Sequence, residues 1–225
     1  EARGLSDGTA PADSVAEMAD AYARAVIDGC GDAPVHVLGW SFGGVVALEL
    51  AHLLARAGRP VASTTLIDAF APAPGGAPLG PHGVLALFAQ ELGLAVSERE
   101  LDAIDPGGRD PDAALARVAE LAHAAGVLPG HLGVAHLARR LRVLAANLRA
   151  DDRHVPRPPP GPVALVRAHN VGGLDAAASW RAQLAELTVI DVPGDHFSMF
   201  RPPNVDELAR AIDAILGAGD GPRAA

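Results

Sequence analysis

The chain has no lysine: all 18 of its basic residues are arginine, set against 27 acidic ones. The resulting net charge of −9 leaves no concentrated cationic face for a phosphate backbone, which argues against a nucleic-acid partner. With alanine and glycine abundant, the lysine gap reads as the mark of a GC-rich genome. Cysteine occurs once, at Cys30, so no internal disulfide can form, and a reducing, cytoplasmic setting is expected. Aromatic residues make up only 4% of the chain. No apolar run approaches the roughly 20 residues that a bilayer requires, so no membrane partner is expected. The opening Glu1-Ala2-Arg3-Gly4-Leu5 has no basic end followed by an apolar core, so it does not read as a secretory signal.

What is present is the profile of a globular enzyme. The 225 residues suffice for one sizeable domain, with 49% hydrophobic and 20% charged residues. Ser14-Val15-Ala16-Glu17 has capping-box spacing and opens a helix to Ile27, with Gly29 and Gly31 as stops. Pro34 to Gly39 reads as a buried strand, Gly43 to Arg56 as a helix capped by Gly58, and Val61 to Ile67 as a strand ending at Asp68. Strand, helix and strand with short links imply a parallel sheet.

Beyond a Pro/Gly loop at 71–81, residues 82–150 show helix patterns and no strand: Leu85 to Leu92, Ser97 to Ile104, Asp112 to Ala125, and Leu132 to Leu148. Pro156-Arg157-Pro158-Pro159-Pro160 is a stiff extended link. Strand pattern resumes at Pro162 to Ala168 and at Leu187 to Val192, with a helix containing Trp180 between, and a last helix runs from Val205 to Leu216. The expected fold is α/β. A mostly parallel sheet flanked by helices occupies 1–70 and 161–217, an all-helical lid insertion with its linker 71–160, and a flexible tail 218–225.

Gly39-Trp40-Ser41-Phe42-Gly43 matches the G-x-S-x-G pattern, with strand before it and helix after. Glycines on either side let the chain turn sharply and expose the serine hydroxyl at a helix N-terminus, so Ser41 reads as a nucleophile. Of nine histidines, His196 is the best base, because it lies in the loop between the last strand and the last helix. Loops at the carboxyl ends of parallel strands gather over one edge of the sheet, which would bring His196 and Ser41 together. His36 reads as a sheet residue. His123, His131 and His136 read as surface or lid residues, and no metal site is expected.

Two carboxylates are placed to orient the histidine. Asp68 is a lone acid closing an apolar strand, 27 positions after Ser41, and Asp175 follows the strand at Pro162 to Ala168. Asp68 is favoured, because capping of the helix at Ala176 accounts for Asp175. Asp195 adjoins the histidine and is not expected to fold back onto its ring. The backbone N–H of Phe42 is the expected oxyanion donor. Because only helix pattern precedes Pro34, the second donor and the first strands are expected upstream of Glu1. Trp40 and Phe42 are the candidates for lining a substrate pocket.

Gly39-Trp40-Ser41-Phe42-Gly43-Gly44, Leu66-Ile67-Asp68-Ala69 and Pro193-Gly194-Asp195-His196-Phe197-Ser198-Met199 together resemble the releasing thioesterase domains at the ends of nonribosomal peptide synthetases and their polyketide synthase relatives. The resemblance implies an α/β-hydrolase fold with Ser41, Asp68 and His196 as triad. An acid this early implies the chain-releasing class. No bound cofactor is implied. Substrate would arrive as an acyl or peptidyl thioester on the phosphopantetheine of an upstream peptidyl carrier protein domain, pass to Ser41, and leave by hydrolysis or macrocyclisation. The alternatives are a stand-alone editing thioesterase or carboxylesterase, and an inactive hydrolase-fold module that binds a carrier protein.

Overall fold

A computed structural model describes residues 2–6, 8–75, 79–169 and 175–219. The chain divides into two compact units, one built from residues 14–74 and 153–225, the other from 1–13 and 75–152.

The first unit carries the sheet. Helix α1 (Val15–Gly29) starts where Ser14 accepts the Glu17 N–H at 3.1 Å, and its Ala- and Val-bearing face packs on the next helix. Strand β1 (Val35–Trp40), helix α2 (Phe42–Arg56) and strand β2 (Val61–Ile67) follow. Just past the end of helix α2, Gly58 turns the chain with a φ of 76°, open to glycine and strained for other residues. After the other unit's helices come strand β3 (Val163–Ala168), helix α7 (Ala176–Arg181), strand β4 (Leu187–Val192) and helix α8 (Val205–Gly219).

The four strands lie parallel in the order β1-β2-β3-β4. Their crossovers contain helices, as parallel pairing requires. Strand β2 is buried from Ser63 to Ile67, whereas β1, with one pairing partner among the described residues, leaves Leu38 about half exposed. Helix α2 packs with α1 around Val37, Ala47, Ala51 and Leu54. Helix α8 packs through Leu208 and Ala211 against Ile67, Val166, Ala168 and Val192. Trp180 of α7 is fully buried and donates its indole N–H to the Ala69 carbonyl at 2.8 Å, which ties α7 to the loop that follows β2.

The second unit is helical: α3 (Pro81–Glu91), α4 (Glu98–Ile104), α5 (Pro111–Ala124) and most of α6 (Val134–Arg153). Ser97 and Glu100 form the capping box of α4, and Asp110 caps α5. Leu85, Phe88, Leu101, Leu115, Val118 and Leu137 form its core, with Leu92 and Leu141 packed against them, so these leucines are accounted for by packing on one another. Helix α6 runs five residues past Leu148, and Arg139 donates to the Leu5 carbonyl at 3.0 Å. None of the helices among the described residues is long and apolar enough to cross a membrane.

Candidate active site

The sheet register places the site. Trp40 pairs with Ile67, and Ile67 pairs with Val166. One residue further along, Ser41 donates its N–H to the Ile67 carbonyl at 2.9 Å, and Asp68 donates its N–H to the Val166 carbonyl at 2.8 Å. Ser41 and Asp68 therefore stand side by side at the carboxyl ends of β1 and β2, and the loop leaving β4 brings His196 to the same edge.

The chain is strained at both acid and serine. Ser41 has φ 54° and ψ −131°, and Asp68 has φ 43°; these are the two non-glycine residues with positive φ among those described. Such conformations cost of order 1–3 kcal/mol each and persist where the surroundings impose them. The surroundings here are tight. A Cβ on Gly39 would sit 2.0 Å from the Gly43 carbonyl oxygen, and one on Gly44 would sit 2.5 Å from the Ala69 Cβ. The close approach of strand end to helix start is thus made by Gly39 and Gly44, while a Cβ on Gly43 meets nothing within 4 Å. This corrects the symmetrical steric role that the G-x-S-x-G pattern suggests for Gly39 and Gly43.

His196 Nε2 lies 3.0 Å from Ser41 Oγ, and His196 Nδ1 lies 2.7 Å from Asp68 Oδ2. Asp68 is completely buried, and its other oxygen accepts the Ala168 N–H at 2.9 Å. The anionic acceptor favours a hydrogen on Nδ1, which leaves Nε2 as acceptor for the serine hydroxyl. A serine so placed can give its proton to Nε2 as it attacks an electrophilic carbon, and the buried carboxylate can stabilise the imidazolium that forms. Phe42 is the first residue of α2, so its N–H has no acceptor within the helix and stands at the positive end of the helix dipole.

The other candidates lie elsewhere. Asp175 caps α7, accepting the Ala178 N–H at 3.1 Å, and pairs with Arg167 at 2.7 Å. The Ala178 N–H first, and the Arg167 guanidinium after it, hold its carboxyl below the ordinary range. Asp195 bonds within its own turn: its Oδ1 accepts the N–H groups of Ser198 and Phe197 at 2.8 and 3.0 Å, which keep its carboxyl low. His36 Nδ1 meets Ser63 Oγ at 2.8 Å across the sheet, and His123 Nε2 meets the Leu132 carbonyl at 2.9 Å. Groups of three or more residues able to hold a metal are absent among the described residues.

Trp40 stacks on the histidine. Its ring lies 4.9 Å from the His196 ring, centroid to centroid, with 31° between planes, and it meets Phe200 and Phe197 edge-on at 5.1 and 6.0 Å. Phe42 is half-buried at the head of α2 and takes no part in these ring contacts.

A family model described as the thioesterase domain matches residues 1–106, a span that holds Ser41 and Asp68. The NocB thioesterase domain, solved as a covalent complex with a fluorophosphonate nocardicin G analogue, superposes with a TM-score of 0.67 at 26% identity, over 95% of this chain and 79% of that one. The chain is thus similar to thioesterase domains, by the family model over its first 106 residues and by fold over most of its length. A four-domain nonribosomal peptide synthetase solved with AMP and glycine gives a TM-score of 0.83 at 28% identity, covering 96% of this chain and 17% of the synthetase. Erythronolide synthase EryA3 of Saccharopolyspora erythraea is 29% identical over 218 residues, 96% of this chain; the chain spans 6% of that synthase's length.

Sequence reasoning overlooked the stacking of Trp40 on His196 and the short 3₁₀ turn at Ser198–Phe200 that carries Phe200. The signal available was the density of aromatic residues: Phe197 and Phe200 follow His196 within four positions, in a chain otherwise poor in rings.

Proposed function

We propose that this thioesterase domain takes an acyl or peptidyl chain from a thioester onto Ser41 and then releases it. One observation carries the reading: a strained serine at the head of α2, its Oγ 3.0 Å from a histidine that is itself 2.7 Å from a buried carboxylate. In this reading neutral His196 accepts the Ser41 proton while Oγ attacks the thioester carbonyl. The tetrahedral oxyanion is stabilised at the Phe42 N–H and the α2 N-terminus. The C–S bond breaks, and His196 returns the proton to the departing thiolate. Water, or a hydroxyl or amine of the bound chain, then attacks the ester carbonyl with His196 taking its proton. Ser41 regains its hydrogen as the product leaves.

The thioester is proposed to be presented on the phosphopantetheine arm of a carrier domain. Support comes from the company the chain keeps: relatives and neighbours include an erythronolide synthase and a four-domain nonribosomal peptide synthetase, of which the matched region is a small part. The thiol of such an arm is a good leaving group, and no bound cofactor is required for its displacement.

The test is intact-protein mass spectrometry after incubation with a small acyl thioester. The expected result is one acyl adduct mapping to Ser41, absent from Ser41→Ala. The same adduct on Ser41→Ala would overturn the assignment of the nucleophile.

A further inference from the structure

We infer that Trp40 is a positioning residue, which sets the orientation of the His196 ring. The inference rests on the hydrolase reading for its kinetic consequence, but on geometry alone for the contact itself.

His196 stands in a loop with little regular structure. Its neighbours are fixed: Asp195 and Ser198 exchange hydrogen bonds, Asn204 donates to the Ser198 carbonyl at 3.1 Å, and Met199 is buried in the core beneath. Those contacts hold the loop's backbone and leave the imidazole to be held by its own partners. Two of these, Asp68 on Nδ1 and Ser41 on Nε2, bond at opposite edges of the ring. Such bonds define an axis through the ring and resist displacement of either nitrogen. They do little to resist rocking about that axis, which leaves both bond lengths unchanged but turns the imidazole plane away from the Asp68 carboxylate plane and the Ser41 hydroxyl direction they prefer.

A contact across the ring face supplies the missing restraint, and Trp40 makes it at 4.9 Å with the rings 31° apart. Trp40 is well suited to be the fixed side of this pair. It is the last residue of β1, paired with Ile67 and immediately before Ser41, so the ring support is anchored in the sheet directly beside the nucleophile. The loop grips the same indole with two more rings, Phe200 and Phe197, each edge-on, and Phe197 also meets His196 edge-on at 5.0 Å. Edge-to-face contacts of this kind are directional, so the indole orients the loop as well as filling space. Its face also suits the cation that forms when His196 takes the serine proton, since a ring quadrupole attracts positive charge and an aliphatic side chain does not.

This role differs from lining a substrate pocket, and the difference can be measured. Trp40→Leu keeps an apolar side chain but removes the ring face; Trp40→Phe restores a ring. Two readouts apply: steady-state kinetics with a small acyl thioester, and the proton resonance of the His196 Nδ1–H held against Asp68. The expected result for Trp40→Leu is a kcat lowered about 10- to 100-fold with KM within about twofold of the parent, the size of effect that misplacing a catalytic group produces. Its Nδ1–H signal is expected to broaden or vanish through exchange with water. Trp40→Phe is expected to recover most of both. A raised KM with unchanged kcat and an unchanged Nδ1–H signal would overturn the inference and make Trp40 a wall of the substrate site. Should Trp40→Leu fail to fold, Phe200→Leu decides: the residue is 40% exposed and its ring is edge-on to Trp40. The expected effect is smaller and in the same sense, and no change in kcat or in the proton signal overturns the inference. A parent that turns over no thioester would refute the thioesterase reading, while the proton resonance would still test the role of Trp40.

Discussion

Asp68 accepts the backbone N–H of Ala168 at 2.9 Å, so the carboxylate facing His196 is anchored to the neighbouring strand. This second bond makes Asp68→Asn an informative change. If the amide oxygen keeps the Ala168 N–H, its NH2 group faces His196 and forces Nδ1 to accept. The ring hydrogen then moves to Nε2, where the serine proton should go. The expected loss in kcat is about 10³- to 10⁴-fold, the cost of the wrong tautomer in a serine triad. The melting temperature should stay within a few degrees, since the shape is kept. Steady-state kinetics beside a thermal melt check both, and a variant retaining more than a tenth of the parent kcat would remove Asp68 from the proposed triad.

The three glycines around Ser41 are predicted to respond unequally. Ala at Gly39 drives its Cβ into backbone atoms that cannot rotate away, 2.0 Å from the Gly43 oxygen, and should cost about 3 kcal/mol or more. Ala at Gly44 meets the Ala69 methyl and should cost about 1–3 kcal/mol. Ala at Gly43 meets nothing within 4 Å inside a helix and should stabilise by about 0.5 kcal/mol. Urea denaturation of the three variants ranks them; a Gly39→Ala protein as stable as the parent would contradict the crowding described.

Much of the frame was legible because local signals and tertiary structure agree. Strands β2 and β4 begin and end where the apolar runs Val61 to Ile67 and Leu187 to Val192 do, and Ser14, Ser97 and Asp175 cap the helices that follow them. The meeting of Ser41, Asp68 and His196 could be anticipated because each follows a strand of one parallel sheet. Other features leave no periodic trace. The end of α6 from Arg149 to Arg153 is mostly charged, so no apolar repeat announces it. The turn at Ser198–Phe200 is too short for a period, and the meeting of Trp40 with rings 156 or more positions away depends on the loop's folded path (196 − 40 = 156). Glu49 lay hidden inside an apolar helix pattern, although it is fully buried.

That buried acid supports another prediction. Glu49 of α2 is gripped by Arg157, which reaches it from the proline-rich segment before β3 through both Nε and Nη2. Removing a buried charge's partner is more costly than removing both charges. Arg157→Ala should destabilise by about 2 kcal/mol, below the roughly 3–5 kcal/mol of fully buried pairs, because the Arg157 side chain is 46% exposed and solvent screens it. Adding Glu49→Leu should recover most of that loss. Denaturation of the single and double variants checks the pair; a double variant weaker than Arg157→Ala would mean that Glu49 contributes through packing or through other bonds.

Asp151 gives a prediction with a pH signature. It lies in α6 beside Asp152, and one of its carboxylate oxygens is buried without a hydrogen-bond partner among the described residues. Burial first, and the Asp152 charge second, push its carboxyl up to about 6 from the ordinary 3.8. The folded chain therefore holds this proton more tightly than the unfolded chain does. The stability it contributes is complete below pH about 4 and is lost as pH rises through 6. Replacing the acid with a neutral amide removes that loss. Asp151→Asn should raise the melting temperature at pH 7.5 by about 2–4 °C, on the order of 1 kcal/mol once solvent screening of the partly exposed group is allowed for. The gain should shrink toward zero by pH 4, where the parent carboxyl is protonated in either state. Melts of both proteins from pH 4 to 8 give the comparison, and a gain independent of pH would show that the introduced amide acts by its shape and hydrogen bonding and that the Asp151 charge carries no cost.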